Sequence, residues 1–235
     1  MELARKQDSW KGFNQIAKTY DLLNRLTSFG IDTMWRKALA KSLPTNGPLE
    51  VLDLATGTGD VAIELIQSCW QVKQVVGVDP AIEMVREGKR KVKALGLENE
   101  LHLEVGNALN IPFADASFDV VTMAFGIRNV PDVPKALGEI YRVLRPGGRA
   151  LILELSLPSN RLIRSGFLFY FRHVLPFIGG LISGEKKAYV YLNQSVEAFP
   201  HGKNFLALMA PAGFKELKCQ TLSAGVASIY GGVKL

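Results

Sequence analysis

A single α/β domain, built on a mostly parallel sheet with helices on both faces, is the fold that the sequence predicts. Short apolar runs typical of buried strands alternate with helical patterns, and the fifth such repeat ends at Leu155. The 235 residues are 48% hydrophobic, which is enough to bury a sizeable core. Neither an internal repeat nor a low-complexity linker divides the chain, so one domain preceded by a helical segment is expected.

Residues 51–60, with the sequence VLDLATGTGD, predict the first unit of this alternation. The apolar residues indicate a buried strand, and Gly57 and Gly59 allow a turn whose backbone can lie close to a ligand. Asp60 is the predicted N-cap of a helix over 61–67. Strand, glycine turn and helix together are typical of the first half of a nucleotide-binding βαβ unit.

A second apolar strand, at 74–79, ends in a carboxylate twenty residues after Gly59. An acid at that position accepts hydrogen bonds from ribose hydroxyls, so Asp79 is the predicted ribose ligand. The glycine pattern also fits nicotinamide and flavin enzymes, but Asp53 would repel their diphosphate. S-adenosylmethionine carries a sulfonium and an ammonium group and no phosphate, so the carboxylate of Asp53 favours it as the cofactor.

The ends of the third and fourth predicted strands carry further candidate residues. Asn107 and Ala108 follow the third strand, and the Asn107 amide can hydrogen-bond adenine. The alternative interpretation of Asn107 is a simple turn. Arg128 and Asn129 follow the fourth strand, where two such polar residues would be costly to enclose without partners. They are the predicted active-site residues, and a surface turn is the alternative interpretation.

Residues 1–47 precede the first strand and predict helices, with aromatic and aliphatic residues at helical spacing. General burial preferences favour core packing for most of this stripe. The functional alternative is a lid over the cofactor that carries Tyr20 and Trp35. A basic helix over 81–95, with Gly96 as its C-terminal cap, is interpreted as a solvated face because no aromatic residues are interleaved to stack on bases.

The composition favours some classes of protein over others. Cys69 and Cys219 lie far apart in apolar surroundings, which predicts neither a disulfide nor a metal centre and fits a reducing cytoplasm. The chain shows no apolar signal core and no run of about 20 apolar residues that would span a membrane. A net charge of +6 favours anionic partners, either nucleic acid or an acidic membrane surface, without choosing between them.

Longer motifs in the chain resemble one family of methyltransferases. VLDLATGTGD, GVDP and YRVLRPGG, in this order, are similar to class I S-adenosylmethionine-dependent methyltransferases. More specific motifs resemble the ubiquinone/menaquinone biosynthesis C-methyltransferases (UbiE/MenG family): AKTYDLLN, SFGIDTMWRK, FGIRNVPD, RHVLPFIGG, YVYLNQSVEAFP and LSAGVASIYGG. The resemblance extends from about Phe13 to the C-terminus. It implies a Rossmann-like fold with a seven-stranded, mostly parallel sheet, an N-terminal helical lid at 1–47 and a methyltransferase domain at 48–235.

The same resemblance implies carbon methylation of demethylmenaquinol or of 2-methoxy-6-polyprenyl-1,4-benzoquinol. The family's cofactor contacts fall on Thr58, Asp79, Asn107 and Ala108. Where many relatives have a serine after the fourth strand, this chain has Ala124. One side-chain hydrogen bond to the cofactor is therefore expected to be absent or replaced by a backbone group.

Carbon methylation needs an acceptor that loses a hydroxyl proton and a site that excludes water. Arg128 remains protonated and suits the stabilisation of a phenolate or the orientation of a water that relays the proton, while Asn129 can orient the ring hydroxyl. Tyr20 is the predicted substrate-binding residue of the lid. His173, Asp60 and Tyr20 are the candidate bases, although a lone histidine is more often structural.

The apolar segment at 162–182 is interrupted by charged residues and Pro176, which predicts an interfacial or tail-binding element in an insertion around 160–200. A buried cap helix is the equal alternative. Peripheral contact with the inner, cytoplasmic face of a membrane and a homodimer are hypotheses, and nucleic acid is not an expected partner. The competing functions are methylation of RNA or of a soluble small molecule, a nicotinamide-dependent oxidoreductase, and a non-catalytic cofactor-binding module.

Overall fold

A computed structural model of the protein describes residues 9–177 and 186–235. Residues 1–8 of the predicted lid and residues 178–182 of the predicted apolar segment lie outside the described residues. The strands are β1 (Leu49–Leu54), β2 (Val72–Asp79), β3 (Leu101–Val105), β4 (Phe118–Ala124), β5 (Leu144–Leu155), β6 (Lys215–Leu222) and β7 (Ala227–Val233). They form one sheet in the order β3-β2-β1-β4-β5-β7-β6, in which β7 runs antiparallel to both of its neighbours and the other pairs are parallel.

Helices precede, connect and follow the strands of this sheet. They are α1 (Ser9–Ile16), α2 (Tyr20–Thr27), α3 (Ile31–Ala40), α4 (Asp60–Ser68), α5 (Ile82–Leu95), α6 (Val133–Val143), α7 (Arg161–Phe169), α8 (Lys186–Ala198) and α9 (Lys203–Met209). A π-helical turn, Tyr170–Val174, continues α7, and a 3-10 turn, Ile127–Asn129, follows β4. None of the described helices is long and apolar enough to cross a membrane.

Each face of the sheet carries its own apolar core. Val51 of β1 belongs to the core that includes Leu65 of α4, and its neighbour Leu52 belongs to the core that includes Ile140 of α6 and Phe205 of α9. Successive side chains of a strand point to opposite faces, so the two cores lie on opposite sides of the sheet. The predicted α/β class with helices on both faces is confirmed.

The strand order reverses between β1 and β4. Asp53 on β1 pairs in register with Gly77 on β2 and with Thr122 on β4. In open parallel sheets, ligands bind at the carboxyl ends of the strands where the order reverses. The motifs that follow β1, β2, β3 and β4 therefore meet at one edge of the sheet.

Most predicted element boundaries agree with the structure to within two residues. Gly96 ends α5 in the left-handed conformation, with a φ of 68°, as predicted. The prediction of Asp60 as a helix N-cap is wrong, because Gly59 occupies the capping position with a φ of 84° and Asp60 is the first helical residue. The last strand of the fifth predicted repeat ends at Leu155 as expected, and it begins at Leu144, which pairs with β4 before the register shifts.

Candidate active site

Two cavities meet at the carboxyl edge of the sheet. The first, of about 330 Å³, is lined mainly by residues that follow β1, β2, β3 and β4. The second, of about 300 Å³, is lined by α2 and α3, the glycine turn, the loop after β4 and the segment after β5. The residues that line both cavities are Tyr20, Ala55, Gly57, Ala124 and Phe125. A ligand in one cavity can therefore reach a ligand in the other.

Backbone strain marks the junction of the two cavities. Ala55 and Phe125, which follow β1 and β4, have positive φ angles of 51° and 57°. This conformation costs about 1–3 kcal/mol for a residue with a Cβ. Beside Phe125, a Cβ added at Gly126 would lie 2.4 Å from the Cβ of Ala55. Glycine at this position therefore lets the two loops approach each other closely.

Asp79, the predicted ribose ligand, lines the first cavity and is buried. Its Oδ2 accepts a hydrogen bond from the Gly57 N–H at 2.9 Å, and its Oδ1 accepts one from the Ala81 N–H at 2.8 Å. Burial raises the pKa of Asp79 above its usual range, and the two N–H donors only partly offset this effect. The carboxylate is held in one orientation, with lone pairs left for ligand hydroxyls.

The predicted adenine contacts, Asn107 and Ala108, also line the first cavity. The Asn107 Oδ1 accepts a hydrogen bond from the Leu109 N–H at 2.9 Å, so the side chain forms the simple turn of the alternative interpretation. The two interpretations are compatible, because the amide NH₂ of Asn107 is a separate donor that can serve an adenine ring nitrogen.

Asp53 lines the second cavity and is 1% exposed. Its two oxygens accept hydrogen bonds from Thr122 Oγ1 at 2.6 Å and from Thr56 Oγ1 at 2.7 Å. Burial raises the pKa of Asp53 to about 6; the two hydroxyls act against this rise, and the charge of Asp79 adds to it. A cation bound nearby would favour the charged form, so this carboxylate suits an ammonium or sulfonium ligand.

Arg128 lines the second cavity and forms a buried ion pair with Glu154 of β5. Its Nη1 lies 2.7 Å from Glu154 Oε1 and also donates to the Phe125 carbonyl. Glu154 is fully buried and accepts further hydrogen bonds from the N–H groups of Arg128 and Leu155. Within the described residues, the buried Arg128 Nε has no partner. The guanidinium is therefore fixed through one of its nitrogens.

Asn129 and Trp35 are held by partners distant in the sequence. Asn129 lines the first cavity, and its Oδ1 accepts a hydrogen bond from Tyr191 Oη of α8 at 3.2 Å. Trp35 lines the second cavity, and its Nε1 donates to Ser223 Oγ at 2.9 Å. The Trp35 ring also lies 5.9 Å from the ring of Phe125. Both sides of the junction thus depend on contacts between remote parts of the chain.

Much of the wall of the second cavity is aromatic or aliphatic. These residues come from the turn between α2 and α3, from α7 and from the helices beyond it: Phe29, Phe167, Tyr170, Phe171, Leu175 and Leu192. Tyr170 connects the two regions, because its Oη donates to the Thr27 carbonyl at 2.8 Å and its ring lies 5.7 Å from that of Phe29. The described part of the predicted apolar segment therefore lines this cavity.

An ion-pair network joins the N-terminal helices to the glycine turn. Asp60 pairs with Arg36 at 2.8 Å and with Lys91, and Lys91 lies 2.7 Å from Asp21. The interpretation of the basic helix as a solvated face is therefore wrong for Lys91. Burial alone would raise the pKa of Asp60, but the charges of Arg36 and Lys91 outweigh it and hold the pKa below its usual range. Asp60 is consequently a weak base.

The other predicted residues contribute less side-chain chemistry. Gly59 lies outside both cavities and caps α4. Thr58 lines the second cavity, but its hydroxyl donates to Asp21 at 2.6 Å. His173 is exposed and packs its ring 5.3 Å from that of Phe169, outside both cavities.

Sequence reasoning missed Glu154, Tyr191 and the role of Lys91. Each acts through its contact with a site residue that is distant in the sequence, so its importance depends on the tertiary structure. One signal could have identified Glu154, because an acid in the apolar strand that ends at the same sheet edge requires a partner when buried.

The first cavity fits a nucleoside ligand that lacks phosphate groups. Among the described residues that line it, Asp79 is the one charged side chain, so no cation there would neutralise a diphosphate. Two buried carboxylates, Asp79 and Asp53, face the region on either side of Gly57 and suit ribose hydroxyls and positive charge. Together with the strand order, these features define a class I methyltransferase that uses S-adenosylmethionine as methyl donor.

Comparisons with known proteins identify the family. The profile of the ubiE/COQ5 methyltransferase family matches residues 1–234, and the chain belongs to this family. It is 48% identical to a demethylmenaquinone methyltransferase of Thermus thermophilus, over 94% of this chain and 98% of the relative. It is 44% identical to a demethylmenaquinone methyltransferase of Porphyromonas gingivalis, over 94% of this chain and 91% of the relative.

The fold is also shared with solved structures of more distant proteins. A possible histamine N-methyltransferase from Thermotoga maritima is 22% identical, with a TM-score of 0.69 over 96% of this chain and 99% of its own. The predicted family, fold and methyl donor are confirmed.

Proposed function

We propose that the protein transfers a methyl group from S-adenosylmethionine to a ring carbon of a polyprenylated quinol, either demethylmenaquinol or 2-methoxy-6-polyprenyl-1,4-benzoquinol. The observation that carries this proposal is the second cavity, which meets the first at Tyr20 and Phe125 and has a largely aromatic and aliphatic wall. A flat ring can pack at the junction while an isoprenoid tail follows the apolar wall. The names of the relatives support this acceptor class.

In this proposal the cofactor is held by charge and by close backbone approach. Asp79 accepts hydrogen bonds from the ribose hydroxyls, Asn107 donates to the adenine, and Asp53 balances the positive charge near the sulfur. The remaining contacts are made largely by backbone at Gly57, Thr58, Ala108 and Ala124, while Gly59 caps α4 outside both cavities. Ala124, which lines both cavities, has no hydroxyl, so a side-chain contact there is absent or is replaced by a backbone group.

When bound, the cofactor supplies an electrophilic methyl group, so the protein chiefly has to align the acceptor carbon and exclude water. Arg128 stabilises the phenolate that forms when the quinol loses a hydroxyl proton, because its guanidinium remains protonated. Asn129 orients a ring hydroxyl across the junction. Both residues flank the point where the two cavities meet.

The hydroxyl proton leaves through a water that Arg128 orients. Once the methyl group has moved from sulfur to the ring carbon, that carbon loses its own proton to solvent and the phenolate oxygen takes one up, so one proton is released in all. Asp60 is a poor acceptor because Arg36 and Lys91 hold its pKa low, and Tyr20 keeps its own proton because burial raises its pKa. Tyr20 therefore acts as a hydrogen-bond donor to the acceptor. This assignment makes Arg128 a stabiliser of charge and leaves the final proton transfer to solvent.

The tail of the acceptor makes a membrane contact part of the proposal. Phe29 lines the second cavity yet is 74% exposed, and Leu162 and Phe169 of α7 are 84% and 64% exposed. An apolar surface with neighbouring arginines fits the interface of a bilayer. We therefore propose a peripheral contact at the cytoplasmic face of a membrane, with residues 1–47 as lid and an acceptor-binding insertion around 160–200 in the domain 48–235.

The methyl transfer is tested with labelled S-adenosylmethionine and reduced demethylmenaquinone or reduced methoxy-polyprenyl-benzoquinone in detergent. Each acceptor is supplied with and without its isoprenoid tail. We expect labelled quinone, formed faster from the tailed acceptor, and the ratio of the two products identifies the natural ring. Absence of product from both acceptors, despite binding of the cofactor, would contradict the acceptor class and favour a soluble substrate or a non-catalytic module.

The membrane contact is tested by flotation with anionic liposomes. The double variant Leu162→Ser/Phe169→Ser should lose binding, whereas the matched control Trp70→Ser should keep it, since Trp70 is 81% exposed but precedes β2 at the opposite sheet edge. Equal flotation of all three proteins, or of none, would contradict the proposed surface. Light scattering of the same proteins without liposomes tests the homodimer, which stays a prediction.

A further inference from the structure

Lys91 connects three separate elements of the protein. From α5 its Nζ lies 2.7 Å from Asp21 Oδ2 of α2 and donates to Thr58 Oγ1 of the glycine turn at 3.1 Å. The same ammonium donates to Asp60, the first residue of α4. Its side chain is 25% exposed, so water only partly screens these contacts. This single cation therefore bridges an N-terminal helix and the turn that approaches the cofactor.

The anchored carboxylate lies directly beside a residue of the junction. Asp21 is the neighbour of Tyr20, which lines both cavities. One oxygen of Asp21 accepts from Thr58 Oγ1 at 2.6 Å while the other accepts from Lys91. Two hydrogen bonds thus fix the backbone next to Tyr20 against the core.

Charge balance makes the lysine necessary for this arrangement. Asp21 and Asp60 both pair with Lys91, so without its charge two carboxylates would stay close together while Arg36 neutralises only Asp60. Like charges at close range repel, and without Lys91 the Asp21 carboxylate keeps only its hydrogen bond from Thr58. Arg36 of α3 pairs with Asp60 and Asp32. It therefore connects α3, and not Asp21 of α2, to the glycine turn.

We infer that Lys91 is a positioning residue that holds α2 closed over the glycine turn and so sets Tyr20 at the junction of the two cavities. This inference rests on the proposed function in one respect, namely that Tyr20 contacts the acceptor at this junction. Because the side chains of Lys91, Asp21 and Asp60 are 24–37% exposed, their loss should open α2 locally and leave the buried core intact.

The test compares Lys91→Met with Lys91→Arg and with the matched control Lys89→Met, an exposed lysine on the same helix. Amide hydrogen exchange over 20–27 should accelerate about tenfold in Lys91→Met, with exchange in β1 and β4 unchanged. The KM for the quinol should rise by about the same factor, with a smaller fall in kcat. Lys91→Arg should restore both properties, and Lys89→Met should resemble the unmodified protein.

The double variant Asp21→Asn/Lys91→Met separates the proposed pair from a general loss of stability. If the two residues act on α2 together, the double variant should exchange no faster than Lys91→Met alone. Unchanged exchange over 20–27 in Lys91→Met, or equal acceleration in β1 and β4, would overturn the inference. The exchange measurement requires no methyl transfer, so a failed quinol assay with faster exchange would reject the acceptor and keep the role of Lys91.

Discussion

The two cavities are built in different ways. The first is formed mainly by residues that directly follow β1, β2, β3 and β4, and backbone N–H groups of Gly57 and Ala81 hold its carboxylate, Asp79. The second is formed largely by α2, α3, α7 and the helices beyond it, and Arg128, one of its charged residues, depends on Glu154 of β5. A site made by strand ends is fixed by the sheet, whereas a site made by helices depends on side-chain contacts between distant segments.

The largest expected effect separates the chemistry of the second cavity from cofactor binding in the first. Replacing Arg128 alone would leave Glu154 buried and unpaired, which costs about 3–5 kcal/mol of folding stability. The double variant Arg128→Met/Glu154→Gln removes both charges. We expect its turnover to fall about a hundredfold, the usual result of losing one electrostatic stabiliser, with its affinity for S-adenosylmethionine retained.

Steady-state kinetics and calorimetric titration measure the two quantities. Glu154→Gln is the matched control, since it keeps the guanidinium, whose Nη1 can still donate to the Phe125 carbonyl and to the new amide oxygen, and it should lose less turnover. Turnover in the double variant equal to that of the control would remove Arg128 from the mechanism.

The next effect concerns Asp53, whose pKa is raised to about 6 by burial. The charged form is the one that favours a cationic ligand, so affinity for S-adenosylmethionine should fall about tenfold between pH 7 and pH 5 as Asp53 takes up a proton. The ligand's ammonium group stays protonated in this range. Calorimetry at each pH should show the fall in the unmodified protein and a flatter profile in Asp53→Asn.

Folding stability depends on pH in the opposite direction from ligand affinity. A carboxylate whose folded pKa exceeds its usual 3.8 binds protons more tightly in the folded state, so Asp53 lowers the stability as pH rises from about 4 to 6. Compared with Asp53→Asn, the unmodified protein should therefore lose stability over this range in denaturant titrations. A parallel dependence in both proteins would mean that Asp53 does not titrate there.

The smallest effect tests the junction where the two cavities meet. In Gly126→Ala the new Cβ would lie 2.4 Å from the Cβ of Ala55, so the loops must separate, at a cost of about 1 kcal/mol or more. Gly138→Ala is the matched control in α6, where a Cβ has open space and a helical alanine should add about 0.5–1 kcal/mol. Denaturant unfolding measures the stability of both variants. Destabilisation of Gly138→Ala would contradict the expectation for this control.

Local patterns determined much of the fold and most of the first cavity. The strand, glycine turn and acid that place Asp79 follow from neighbouring residues, because backbone conformation and strand direction are set over short stretches of chain. The family motifs added the acceptor class and Thr58 as a cofactor contact, whereas Arg128 and Asn129 followed from their position after β4. Prediction from the sequence was wrong where a residue is held by a partner in a distant part of the chain. Asp60 has the residue type of a helix cap, but Gly59 takes that position and Asp60 binds cations from α3 and α5.

The sequence by itself therefore determined the α/β sheet, the position of the glycine turn and the acids that follow β1 and β2. Only the tertiary structure decided that Glu154 neutralises Arg128, that Tyr191 contacts Asn129 and that Lys91 joins α2 to the core. The physical reason is that an exposed and a paired lysine have the same local sequence pattern. Which charges meet is settled when helices from distant parts of the chain pack onto the sheet, where desolvation makes an unpaired charge costly.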